Sequence, residues 1–506
     1  MFSPFKNIEA LVGGLLGFFV LLLFTHHSGI GVSRDSIAYI SAANSFVEGK
    51  GFIEYDNVPL ALFPVGYPIL LGIIKVITNC SLIVSGTYLN ALLFATIVYL
   101  LGCIIKQQVY PNKVITITLI AVLVFAVPIH EDFYMLWSES VYILLEVLFI
   151  IALSHYFTKQ LKYCFYIAVF IAAYAAITRF AGITFIVVPG IFLILNTNIP
   201  FKKRLKNIIA GLIVGITPLS INLIRNYYST TEVAGNRQHG IYTLYQNISF
   251  SGKVFCEWFY NTTLNSATTF TVGLIILLLL VSYSIFILIR IYKYRSNATY
   301  YKIATVYGAV YYLFMLTTAT ISRYETLNNR LLSPLFIPVL LLMIHIGERL
   351  INSTLFASLQ RAKAIVITIL FVVLLSKEVL ASYDFYIDSQ EGGIGGYTED
   401  SWRESETIHY VKEHINMFSK LSINDIPVYS NSAHALYLYT DTYFTLLPEK
   451  THLNKIENMY KLPAFYVIWF NEEGNDDILP VETIQKNRTL KVIQQFKDGT
   501  VYLIKN

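Results

Sequence analysis

Charge is scarce in this chain of 506 residues. Asp, Glu, Lys and Arg make up 14% of it, against roughly a quarter in soluble domains, which excludes an ordinary soluble enzyme. Cysteine is scarce too. The four present, Cys80, Cys103, Cys164 and Cys256, are scattered, and no pair has the spacing of a metal site or a disulfide framework. No tandem repeat is apparent. The net charge of +5 does not point to nucleic acid, because the positive residues gather in a few short loops. What the chain has in place of charge is apolar length. Hydrophobic residues form 55% of it, in repeated runs of about twenty, the length that crosses a bilayer.

About eleven such runs can be placed, over 8–25, 84–105, 114–129, 138–157, 163–178, 180–196, 207–225, 269–290, 303–321, 331–348 and 363–381. The first follows a lone Lys6 and precedes no small-residue cleavage site, so it is expected to be a retained helix. With the N-terminus cytoplasmic, the inside loops include "KQQVYPNK", "TKQLK", "PFKKRLK" and "RIYKYRSNATYYK", every one basic. The outside loops hold His, Tyr, acids and isolated arginines. This split sets an orientation with the N-terminus inside and the C-terminus outside. A shorter run, "LFPVGYPILLGIIKVI", opens on two prolines around a glycine and carries Lys75. Counting it as a span would invert every later loop, so it is expected to lie at the outer interface, beside a second interfacial helix over 34–48.

From Ser382 the composition changes. A Gly-rich polar stretch, "YDFYIDSQEGGIGGYTEDSW", is expected to be a linker. Beyond it helical and strand patterns alternate and end in the hairpin "LKVIQQFKDGTVYLIK". The expected architecture is therefore a polytopic α-helical membrane domain over 1–381 and a small extracytoplasmic α/β domain over 382–506. Triplets such as "NIS" at Asn247 and "NTT" at Asn261 are read as chance in an Asn-rich chain rather than as glycosylation sites.

The stretch "GVSRDSIAYISAANSFVEGKGF" emerges straight from the first span and places Asp35 at the start of an amphipathic helix, with Ile37, Ile40, Ala43 or Asn44, and Val47 as its apolar stripe. One reading is structural: Asp35 caps the helix. The other is functional. Arg34 adjoins it and Tyr39 follows one turn on, although Tyr at an interface also simply packs toward lipid. The same outer surface carries His130, Glu131, Asp132 and Glu139 in "HEDFYMLWSE", with Glu139 equally placed to cap its own span. Arg179, Arg225, Arg237, Arg323 and Arg330 sit alone at outer helix ends. Positive-inside bias removes arginine from short outer loops unless something there needs it. A lipid-borne phosphate would need it, because guanidinium matches phosphate oxygens in pairs.

In the order of these pieces the chain resembles the GT-C superfamily of membrane glycosyltransferases, which includes protein O-mannosyltransferases and lipid A aminoarabinose transferases. The residues that carry the resemblance are "RDSIAYISAANSFVEGKGF", "FPVGYPILLGIIKVI", "WSESVYILLEVLF", "TRFAG", "PLSINLIRNYY" and "NNRLLSPLFIP", spread over most of 1–381. Where family members often carry two consecutive acids, this chain has Asp35-Ser36. The resemblance implies a polyprenyl-phosphate sugar donor and a glycan, lipid or protein acceptor at the outer face. In that scheme Asp35 is the base, Arg330 or Arg323 sits on the departing phosphate, and Arg237, Arg34, Tyr39 and Glu139 are further substrate contacts. Asp132, Glu131 and His130 are candidates to position the acceptor or to help bind a divalent cation. All of this requires Asp35 and the later arginines to converge on one cavity. The Ile-, Asn-, Lys- and Tyr-rich composition suggests an AT-rich genome and a bacterial inner membrane.

Two other classes share the membrane bulk. A transporter or flippase of a lipid-linked saccharide would show paired Gly/Pro-interrupted spans in two halves, and none is seen. A scaffold protein would explain the C-terminal domain but leave "SRDSIAY" and "NNRLLSP" as coincidences.

Overall fold

The structure, a computed structural model, describes residues 7–109, 112–235, 238–259, 265–323, 325–353, 359–418, 426–471 and 477–505. The chain forms two compact units. The first comprises Met1–His26, Ala61–Tyr67 and Val84–Asp388, and the second His27–Leu60, Pro68–Ile83 and Ser389–Asn506.

In the first unit, each of the eleven expected runs falls on a helix. Among the described residues eight helices are long and apolar enough to cross a membrane: Leu82–Val109, Lys113–Tyr134, Glu139–Lys159, Phe201–Thr230, Ser266–Tyr294, Tyr300–Ile321, Asn329–Ile351 and Gln360–Glu391. Three shorter ones, Ile8–Phe24, Lys162–Thr178 and Phe180–Leu195, match the remaining runs. This is a multi-pass membrane protein. Asparagine starts three of the long helices: the side chains of Asn112, Asn265 and Asn328 accept from the backbone N–H groups of Ile115, Thr268 and Leu331, satisfying donors that a helix start leaves orphaned.

Burial sorts the helices. Glu139–Lys159 and Asn329–Ile351 have 78% of their apolar windows buried, whereas Phe201–Thr230 and Gln360–Glu391 have 17%. Exposed side chains such as Ile213, Ile221, Ile365 and Leu370 therefore face what water would penalise and lipid would not. The span Lys113–Tyr134 is broken at Phe125–Ala126, where Pro128 opens its second segment. The groups freed there are answered from the last helix. Glu378 Oε2 accepts from the Val127 N–H at 2.9 Å and Ser382 Oγ donates to the Phe125 carbonyl at 3.1 Å. That helix runs on to Glu391, so the stretch from Ser382, expected to be linker, begins as helix and loosens only at the glycines.

The second unit is discontinuous. The helix Arg34–Val47 and residues 68–78 of the helix Gly66–Thr78 cluster with the C-terminal residues. Thirteen residues rise only about 20 Å, too short to span. Lys75 Nζ donates to Asn44 Oδ1 at 2.7 Å, and Asn44 Nδ2 donates to the Tyr437 hydroxyl at 3.3 Å. Five strands, β1 (Val428–Ser430), β2 (Thr445–Leu446), β3 (Ala464–Phe470), β4 (Thr489–Gln495) and β5 (Gly499–Lys505), form one sheet in the order β2-β1-β3-β5-β4. β1 pairs in parallel with β2 and β3, the helices Ala433–Thr440 and Leu453–Tyr460 making the crossovers. β4 and β5 are the expected hairpin, with Gln495 opposite Thr500. Phe465, Val467, Ile484 and Ile504 are buried at the centre of this domain's core.

Candidate active site

The first unit brings two of the isolated arginines onto one carboxylate. Glu139 opens its helix, fully buried. Arg330 Nε donates to Glu139 Oε1 at 2.5 Å, and Arg179 Nη1 pairs with the same oxygen. Ser138 Oγ donates to Oε2 at 3.2 Å. The guanidinium of Arg330 lies 4.1 Å from the centroid of the Trp137 ring, and that of Arg179 lies 5.9 Å from Tyr142. Both arginines therefore have an aromatic face beneath them as well as an anion beside them.

Local sequence explains how each is delivered. Arg179 has extended backbone where the helix Lys162–Thr178 ends, and a single 3₁₀ turn, Phe180–Gly182, leads into the next helix. Gly182 makes that corner possible, because a Cβ there would stand 2.2 Å from the carbonyl carbon of Ala175. Arg330 lies in the first turn of Asn329–Leu332, capped by Asn328. Asn329 fixes that turn by donating to the Pro128 carbonyl at 3.1 Å and to Glu131 Oε2 at 3.0 Å, while its oxygen accepts from Trp258 Nε1 at 2.8 Å.

The Nε of Arg179 is buried without a hydrogen-bond partner. The side chains of Arg179 and Arg330 remain 15% and 14% exposed while Glu139 has none, so the arginines, and not the acid, present an edge to a ligand. Asp132 is fully buried beside Glu139 and Ser333. The Ser333 hydroxyl is within 3.1 Å of the Arg330 carbonyl.

The remaining expected residues are placed differently. His130 is buried, with Nε2 donating to the Val124 carbonyl at 2.8 Å and Nδ1 accepting from the Tyr134 hydroxyl at 2.7 Å. Both nitrogens are committed to the core, and neither is left for an acceptor or a cation. Glu131 is exposed and serves Asn329. Arg323 is exposed and donates to Gln238 Oε1 at 2.6 Å. Arg237 lies outside the described residues. Among the described residues no group of three His, Cys, Asp or Glu could hold a metal ion.

In the second unit, Asp35 is not the helix cap. Ser33 is: it accepts from the Ser36 N–H while the Ser36 hydroxyl accepts from its own N–H, a reciprocal capping box. Asp35 sits half-buried in the first turn, its carboxylate not spent on capping. Tyr39 is buried, not turned out to lipid. Arg34 stands near a buried aromatic group in which the His434 ring lies 4.1 Å from Tyr55 and 6.0 Å from Tyr397. Burial, and then the Arg34 charge, push His434 down to about 3.

No family model matches the sequence, and the comparison with curated proteins returns no match. Solved structures do match. ArnT from Cupriavidus metallidurans, bound to undecaprenyl phosphate and in the apo state, superposes with a TM-score of 0.56 in each case, over 99% of this chain and 98% of that one at 9% identity. The chain has the GT-C fold. The archaeal oligosaccharyltransferase AglB from Archaeoglobus fulgidus, in complex with an inhibitory peptide and a dolichol-phosphate, shares the GT-C fold at a TM-score of 0.53 and 10% identity, covering 92% of this chain and 70% of its own. The fold class expected from motif order is the one found. Sequence reading set Arg179 among the isolated outer arginines but not among the site residues. Its signal was the "TRFAG" corner, and its partner Glu139 lies 40 residues earlier, where no spacing rule reaches.

Proposed function

We propose that the protein is a glycosyltransferase that moves a sugar from a polyprenyl-phosphate donor to an acceptor hydroxyl at the outer face of the membrane. The observation that carries this reading is the Arg179–Glu139–Arg330 cluster, two partly exposed guanidinium side chains held on one buried acid, in a fold shared with structures bound to undecaprenyl phosphate and dolichol-phosphate.

The chemistry suits those residues. A sugar phosphodiester carries one negative charge, and the phosphate monoester it leaves behind carries up to two. Positive charge already in place therefore stabilises the departing phosphate more than the bound donor, which is the condition for catalysis rather than mere binding. Arg330 and Arg179 are assigned to that phosphate. Arg323, engaged with Gln238, is not. Asp35 takes the proton of the acceptor hydroxyl as its oxygen forms the bond to the anomeric carbon and the bond from that carbon to the phosphate oxygen breaks. The reading has the N-terminus inside and the C-terminal domain outside. Membrane and extracytoplasmic domains over 1–381 and 382–506 are kept as part of the proposal, with residues 27–60 grouping with the latter.

The test is Asp35→Asn in the full-length protein reconstituted with undecaprenyl-phosphate hexoses and pentoses. Release of undecaprenyl phosphate should fall at least 100-fold while insertion and lipid-phosphate binding persist. Full turnover in that variant removes Asp35 from the mechanism. Exchange of the intact lipid between leaflets without cleavage would replace the enzyme with a transporter.

A further inference from the structure

We propose that residues 393–400 of the C-terminal unit are a clamp that sets the position of the Asp35 carboxylate, making Gly396 and Thr398 positioning residues for the transfer reaction. This rests on Asp35 acting as the base.

The chain that leads into the Asp35 helix is held along its length. His27 Nε2 pairs with Asp400 Oδ2 at 2.8 Å. The Ile394 N–H donates to Ser28 Oγ at 3.1 Å, and the Thr398 hydroxyl is shared between the Ile30 carbonyl at 3.2 Å and the Gly395 carbonyl at 3.3 Å. Val32 forms a parallel bridge with Gly396, and the Tyr397 N–H donates to the Val32 carbonyl at 2.7 Å. Ile30 and Val32 are fully buried. The hold ends one residue before Ser33, and from Ser33 the capping box makes the first turn, Asp35 included, a stiff unit. Displacing Val32 therefore displaces the carboxylate with it.

Gly396 is where this fit is tightest. Its φ is +69°, which L side chains rarely adopt, and a Cβ there would stand 2.2 Å from the Val32 carbonyl oxygen. The neighbouring Gly392 has open space at the same atom. A displacement of about 1 Å at a reacting group can cost about 100-fold in rate, so a clamp of backbone hydrogen bonds is a sufficient cause of activity or of its loss.

The test uses the full-length protein in lipid nanodiscs with whichever undecaprenyl-phosphate hexose or pentose the wild type turns over. Gly396→Ala should lower kcat about 100-fold and leave KM for the donor within about twofold, because the phosphate is bound by other residues. Thr398→Val, which keeps the shape and deletes one buried hydrogen bond, should lower kcat roughly threefold to tenfold, and Thr398→Ser should restore it. Gly392→Ala should change nothing. A normal kcat in Gly396→Ala, with Asp35→Asn inactive, overturns the clamp and leaves the base assignment standing. An active Asp35→Asn overturns both. If Gly396→Ala does not fold, the threonine pair decides: a kcat unmoved by Thr398→Val, or not restored by Thr398→Ser, overturns the proposal.

Discussion

Replacing Glu139 by Gln changes one atom and one charge at the point where two cations meet. Oε1 of Glu139 takes both Arg330 Nε and Arg179 Nη1, and Oε2 takes Ser138 Oγ. A glutamine keeps one acceptor oxygen for the arginines, and its amide can face the serine oxygen, so the number of hydrogen bonds need not fall. What is lost is the charge between two guanidiniums whose side chains are 15% and 14% exposed. Breaking a buried ion pair costs about 3–5 kcal/mol. Because the amide still accepts, the lower end, about 3 kcal/mol, is expected. The same change leaves the pair of arginines less neutralised and so more attractive to a phosphate. Glu139→Gln should therefore melt earlier than wild type in detergent, bind undecaprenyl phosphate more tightly, gain more thermal stability from it, and turn over more slowly because the product is retained. Unchanged melting together with unchanged lipid-phosphate affinity would refute the idea that Glu139 restrains the arginines.

Two other outcomes follow from different parts of the molecule. His434 is held at about 3, well below its ordinary 6.5. The unfolded chain therefore binds more protons between those values, and stability that is full above pH 6.5 declines as pH falls, by about 1.4 kcal/mol per unit in that window. At pH 5 the second unit should be about 2 kcal/mol less stable than at pH 7. His434→Phe should flatten this acid limb in a melting series, and an unchanged limb would assign the effect to other groups. Reporter fusions after Lys206 and after Thr269 should report opposite sides of the membrane. The same side for both would void the assigned orientation.

The long helices were legible because length and hydropathy are local properties, and crossing a bilayer demands both. The crossover order of the C-terminal sheet was not, since it depends on which short strands pair. The helix Leu453–Tyr460 was missed: its pattern is brief and amphipathic, and only packing on the sheet reveals it. Asp35 was correctly set at a helix start, but Ser33 does the capping. Isolated outer arginines could be recognised singly from positive-inside bias. Their meeting at Glu139 could not, because it joins three helix ends separated by up to 191 residues. His130 reads from sequence as a histidine beside two acids, and the contacts of its nitrogens with Val124 and Tyr134 are visible only in the fold.

The second unit draws its pieces from both ends of the chain, and the hydrogen bond from Thr398 to Ile30 closes a loop of 368 residues. A ribosome releases residues 27–60 long before their partners exist, and every intervening membrane span must be inserted first. Such late closure ties competence to completed synthesis. A chain truncated before residue 393 would insert its helices normally and yet leave the segment carrying its acid unmoored.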